Sequence, residues 1–135
     1  MIYALDSDTL SYLLRDDDHV YARYEEALDS GDYCVIPLIV YYEVRRGLIA
    51  NDARRKMRSF ERFCKSLDIV DLGVHDMDVA ADIYANRKKA GRPMGDSDLL
   101  IAASCIARGY KLVTNNTTHF NELSNLQLVN WAELP

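Results

Sequence analysis

"GRPMGDSDLLIAASCIARG", residues Gly91 to Gly109, is followed at once by "YKLVTNN", residues 110–116. The first stretch is apolar almost without break from Leu99, and Gly109 closes it as a helix stop. The second is a short apolar run with a polar tail, which reads as a strand. A helix that is oily on most of its surface must be covered by other elements, and a strand apolar on both sides must be covered on both faces. That combination belongs to α/β folds with a mostly parallel sheet and helices on either side. Two carboxylates, Asp96 and Asp98, stand at the mouth of the helix. They admit two readings: favourable charges at a helix N-terminus, or part of a metal site.

Working outward, helices and strands alternate along much of the chain. "MIYALDS" reads as a buried strand ending at Asp6, with helices over "DTLSYLLR" and "DHVYARYEEALDSG". "DYCVIPL" is a second strand, followed by a helix in "IVYYEVRRGLIAN" with Val40, Val44 and Leu48 on one face. "DARRKMRSFERFCKSL" places Met57, Phe60 and Phe63/Cys64 at helical spacing, with basic residues opposite. "DIVDLG" is a short strand, and "DMDVAADIYANRKKAG" a helix capped by Asp76 or Asp78. "LQLVNW" is the last strand. With 135 residues and no internal repeat or linker, one domain over residues 1–135 is expected.

Composition narrows the function classes. A net charge of −5 disfavours a general nucleic-acid binder, although carboxylates gathered round a cation would be neutralised on binding it. Cys34, Cys64 and Cys105 are three, without CxxC spacing and in apolar contexts, so reduced buried thiols are expected. "YCVIPLIVYY" is about half of the ~20 residues needed to cross a bilayer, and the opening residues lack a cationic leader. A soluble cytoplasmic protein with no membrane association is the expectation. His19, His75 and His119 stand in polar segments and read as surface residues.

In parallel sheets, sites form beyond the carboxyl ends of the strands. Asp6 follows the first strand, and Thr114, Asn115 and Asn116 follow "KLV". Glu43 lies one turn into the helix after the second strand, and Asp96 and Asp98 open the helix that feeds "KLV". Each residue has a plain alternative. Asp6 caps a helix, Glu43 pairs with Arg46 on the surface, Asp98 complements a helix dipole, and Asn115-Asn116 forms a turn. Gathered at one sheet edge, the carboxylates would repel unless a cation joined them. Oxygen ligands favour a hard ion, Mg²⁺ or Mn²⁺.

These residues carry a resemblance. "ALDSDTL", "YYEVRRG", "GDSDLLIAASCIARG", "LVTNNTTHF" and the closing "LQLVNW" run in order over nearly the full length, and the chain resembles a PIN-domain ribonuclease of the VapC toxin type. The resemblance implies a PIN-like three-layer sandwich and an endoribonuclease that cleaves RNA, tRNA being a frequent target. It also implies Mg²⁺ or Mn²⁺ as cofactor, inhibition by a cognate antitoxin protein, and a homodimer. Metal-binding acids fall on Asp6, Glu43 and Asp98. The fourth family position, often Asp, falls on Asn116, which puts a second ion in doubt. Asp96, Asp8, Thr114 and Asn115 are auxiliary candidates. "RKKAGR" contributes Arg87, Lys88, Lys89 and Arg92 as candidate RNA contacts leading into the acidic mouth, and "RRKMR" is a second basic patch.

Two rival readings stand. "LDSDTL" also resembles the nucleophile loop of haloacid-dehalogenase-like phosphohydrolases, though that family's Thr would fall on Leu10. A non-catalytic partner-binding module with a structural cation is the other.

Overall fold

The computed structural model describes residues 1–134. Five strands and seven helices follow in the order β1 (Ile2–Leu5), α1 (Ser7–Leu14), α2 (Asp18–Asp29), β2 (Tyr33–Pro37), α3 (Leu38–Ala50), α4 (Arg54–Ser66), β3 (Asp68–Val70), α5 (Val74–Lys89), α6 (Asp96–Arg108), β4 (Lys111–Val113), α7 (Thr117–Phe120) and β5 (Gln127–Val129). The sheet order is β3-β2-β1-β4-β5, and all four pairings are parallel. Successive strand residues point to opposite faces, so burial along a strand reports both layers. Ala4 and Leu5 are neighbours in β1 and are both fully buried, as are Leu112 and Val113 in β4. Helices therefore cover both faces, which is the three-layer α/β arrangement that the apolar strands implied.

β1 is central. From it the chain steps outward to β2 and β3, then returns to the other side for β4 and β5. The junction of β1 and β4 is therefore the point where the strand order reverses, and a crevice opens beyond the carboxyl ends of such a pair. Register sharpens this: Leu5 lies opposite Val113, so the next residues of each strand, Asp6 and Thr114, emerge side by side.

α6 explains the oily stretch. Leu99, Ile101, Ala102, Ala103, Ser104 and Cys105 are all buried, so the helix is covered nearly all round. Leu99 and Ala103 pack on Ala80 and Ile83 of α5, while Ile101, Ala102 and Cys105 face the main core. Gly109 ends the helix at φ 71°, a left-handed turn that glycine adopts without a Cβ penalty. α5 starts at Val74, two residues ahead of the expected cap. Asp76 lies inside its first turn and accepts the Gly73 amide at 2.7 Å. The same carboxylate takes the Arg108 guanidinium at 2.7 Å, tying the start of α5 to the end of α6. α7 was not anticipated: four residues form it, anchored by fully buried Phe120.

Among the described residues no helix is long and apolar enough to cross a membrane. Cys34 and Cys105 are buried free thiols, and Cys64 is half-buried.

Candidate active site

Asp6 is the hinge of the site. It is the N-cap of α1, its Oδ1 accepting the Ser7 amide at 2.8 Å, so the capping reading and the site reading both describe it. Its Oδ2 accepts the Thr114 hydroxyl at 2.7 Å across the β1–β4 junction. Only 5% of Asp6 is exposed. Burial, opposed by the Thr114 hydrogen bond and reinforced by the charge of Asp8 and more weakly that of Asp98, pushes its pKa from 3.8 up to about 6. No cationic side chain lies against it among the described residues. A buried carboxylate with two acidic neighbours and no internal counter-charge is poised to gain from an external cation.

Ser7 extends the cluster to α3. Its hydroxyl donates to Glu43 Oε1 at 2.7 Å, which links a residue next to Asp6 with a side chain 36 positions away. Glu43 does not pair with Arg46, whose guanidinium sits over the Tyr42 ring at 5.0 Å. On the other flank, Asp98 projects from the first turn of α6 and meets His119 Nδ1 at 3.1 Å. Asp96 is exposed at the first helical position. Of this acidic pair, it is Asp98 whose charge reaches Asp6.

The auxiliary residues divide. Thr114 is fully buried and acts as a hub: it donates to Asp6 and accepts the Asn116 amide at 3.0 Å. Asp8 holds the loop after β4, accepting the Asn115 amide at 2.9 Å. Asn115 takes a further bond from Asn130 at 3.1 Å, and Asn116 is exposed at the start of α7. Thr114 and the Asn115–Asn116 turn are therefore fastened to the same junction as Asp6.

Among the described residues, no three His, Cys, Asp or Glu side chains stand together in a ready-made metal cage. Asp6 and Asp98 couple through space, and Glu43 joins through Ser7 rather than directly. The donors are all carboxylate oxygens, which suits a hard ion that retains several waters.

Part of the "RKKAGR" patch is engaged within the chain. Arg87 and Arg92 both clasp Glu122, each at 2.5 Å, and hold the α5–α6 connection against the loop after α7. Lys88 and Lys89 are exposed. Two of these four cations are thus paired with an exposed carboxylate of the same chain. A cleft of about 540 Å³ instead opens directly from Ser7 and Glu43, between α1, α3 and α4, and carries Arg15 and Lys56 on its walls. His119 is exposed, as its polar segment implied, but its contact with Asp98 was not anticipated from sequence. Its one available signal was its position shortly after β4, at the same sheet edge as Thr114.

A sequence profile of the PIN domain matches residues 3–126. The chain belongs to the PIN-domain family. Ribonuclease VapC2 of Rickettsia felis is 30% identical over 132 residues, 97% of this chain and 98% of that protein. The tRNA(fMet)-specific endonuclease VapC of Shigella flexneri is 26% identical over 105 residues, 78% of this chain and 80% of that protein. Among solved structures, R. felis VapBC2 bound to a promoter DNA fragment aligns at TM-score 0.89 with 28% identity, covering 97% of this chain and 99% of its counterpart. VapBC-1 of nontypeable Haemophilus influenzae aligns at 0.87 with 25% identity, covering 98% and 100%. The relatives matched over nearly the whole chain are named VapC ribonucleases.

Proposed function

We propose that this chain is a VapC-type endoribonuclease toxin, held in check by a cognate antitoxin protein. The observation that carries the reading is the convergence at the β1–β4 switch point. Asp6 is buried there without a cation, the charge of Asp98 reaches it from α6, and Glu43 joins through Ser7. The relatives support the same reading by name: ribonucleases, a tRNA(fMet)-specific endonuclease, and toxins solved together with their antitoxins.

Asp6 and Asp98 are the residues proposed to hold Mg²⁺ or Mn²⁺, with Glu43 contributing at the cleft side. When bound, the ion supplies charge for the phosphorane-like transition state and lowers the pKa of water. The remaining work belongs to the protein. Thr114 fixes Asp6 Oδ2 and so keeps the carboxylate from turning away. Ser7 restrains Glu43. The Asn116 side chain is exposed, and its amide would meet the scissile phosphate or a water beside it. Arg15 and Lys56 line the approach beside Glu43 and give the RNA backbone cationic partners.

The deciding experiment expresses the protein in a bacterium and sequences RNA 5′-phosphate ends, with Asp98→Asn in parallel. New, discrete ends with the native chain and none with the variant support the reading. Equal cleavage by both overturns it. Stable trapping of an aspartyl-phosphate analogue on Asp6 would favour the phosphohydrolase alternative instead.

A further inference from the structure

His119 is exposed, yet its ring contacts an acid of the candidate site. It lies on α7, and the neighbouring Phe120 is fully buried, so the helix is pinned to the core. The His119 amide donates back to the Asn116 carbonyl at 3.0 Å, which fixes the turn that leads from β4. From this anchored position the ring reaches α6, and Nδ1 lies 3.1 Å from Asp98 Oδ2. An ionised carboxylate only accepts, so Nδ1 carries the proton and donates. The bond joins residues 21 apart in sequence and is the sole side-chain partner of Asp98 among the described residues, which leaves Oδ1 unengaged.

We infer that His119 is a positioning residue for Asp98: it holds Oδ2 so that Oδ1 is presented toward Asp6. The inference rests on the metal-dependent ribonuclease reading and adds to it a residue outside the acidic set. The physical reason is entropic and geometric. Asp98 is about a third exposed, so its carboxylate would otherwise sample several rotamers at the mouth of the site. A ligating carboxylate is stiffened by a hydrogen-bond donor behind it, and losing such a donor commonly weakens metal affinity about 10- to 100-fold. The arrangement mirrors Thr114 on Asp6: each of the two acids has one oxygen tied by a donor from the β4–α7 segment.

The test compares His119→Ala and His119→Asn with the native chain. Asn restores a donor, Nδ2–H, close to where Nδ1–H stood, without the ring. Mn²⁺ binding is followed by electron paramagnetic resonance of the free ion, and RNA cleavage by initial rates. His119→Ala is expected to weaken Mn²⁺ at least about tenfold and to lower kcat with KM for RNA unchanged, while His119→Asn recovers most of both. Circular dichroism confirms that both variants are folded. Native-like Mn²⁺ affinity in His119→Ala, or an Asn variant no better than Ala, overturns the assignment while leaving the ribonuclease reading intact. Failure of the native chain to bind Mn²⁺ or cleave RNA overturns the underlying reading and this one with it.

Discussion

Replacing Asp6 with Asn is expected to stabilise the metal-free protein at neutral and alkaline pH while abolishing cleavage. Asp6 has its pKa raised from 3.8 to about 6, chiefly by burial. A group raised in the folded state contributes stability that is fully present below its unfolded value and lost as pH rises through the folded value. For Asp6 that window runs from about pH 4 to above pH 6. The difference of about two pKa units corresponds to roughly 3 kcal/mol of penalty at pH 8. Asn removes the charge yet keeps a carbonyl for the Ser7 amide. Its Nδ2 turns toward the Thr114 oxygen, whose proton can swing to Asp8 Oδ2, 3.4 Å away. Some of the gain is lost to imperfect geometry, so about 1–2 kcal/mol is expected, or a melting temperature higher by roughly 4–8 °C for a domain of this size. The assay is thermal unfolding in excess EDTA, at half-unit steps from pH 4 to pH 8. The native chain and Asp6→Asn should coincide near pH 4 and diverge through pH 6. Adding Mg²⁺ should close the gap by raising the native chain alone. An Asn variant less stable than the native chain at pH 8, or a gap independent of pH, would refute the reasoning that an uncompensated buried charge defines this site.

Further outcomes are expected. Asp98→Asn retains the fold and loses RNA cleavage, and EDTA abolishes the activity of the native chain, both read by gel assay of a labelled RNA. Mg²⁺ at ten times its dissociation constant raises stability by about 1.4 kcal/mol through mass action, visible in the melting curve. Arg108→Met leaves Asp76 buried without its cation and costs about 2 kcal/mol in urea unfolding, because part of the bond is solvent-exposed. Burial pushes Asp76 up, but Arg108 and the Gly73 amide hold it below its ordinary value overall, so its contribution is present above about pH 4 and disappears as pH falls further. Finally, Arg15→Ala with Lys56→Ala weakens RNA binding and lowers the salt-dependence slope by about 1–2, measured by titration at several ionic strengths.

The alternation of elements was legible in the sequence because strands buried on both faces and a helix buried nearly all round leave continuous apolar runs, as in Leu112–Val113 and Leu99–Cys105. The rule that sites follow strand carboxyl ends singled out Asp6 and Thr114, which the structure joins by a hydrogen bond, since strand ends are local features. Glu43 was singled out by its place one turn into the helix after the second strand, but its partner was not legible. Its link to Asp6 runs through Ser7 and depends on how α1 packs against α3, which no local spacing encodes. The basic residues show what composition omits: it records charge but not partners, and Glu122, which pairs with Arg87 and Arg92 of "RKKAGR", lies 30 positions or more beyond them.

Residue pattern alone therefore determined which segments must be buried, which strands must be parallel, and which acids stand at strand ends, because burial and backbone conformation are set by neighbours within a few positions. Tertiary structure decided which charges meet. The reversal of strand order at β1 and β4 sets Asp6 beside Thr114, and the docking of α7 through its buried Phe120 brings His119 to Asp98. A charge acts over a few ångströms whatever the distance along the chain, so its role is settled only when the sheet and helices have closed around it.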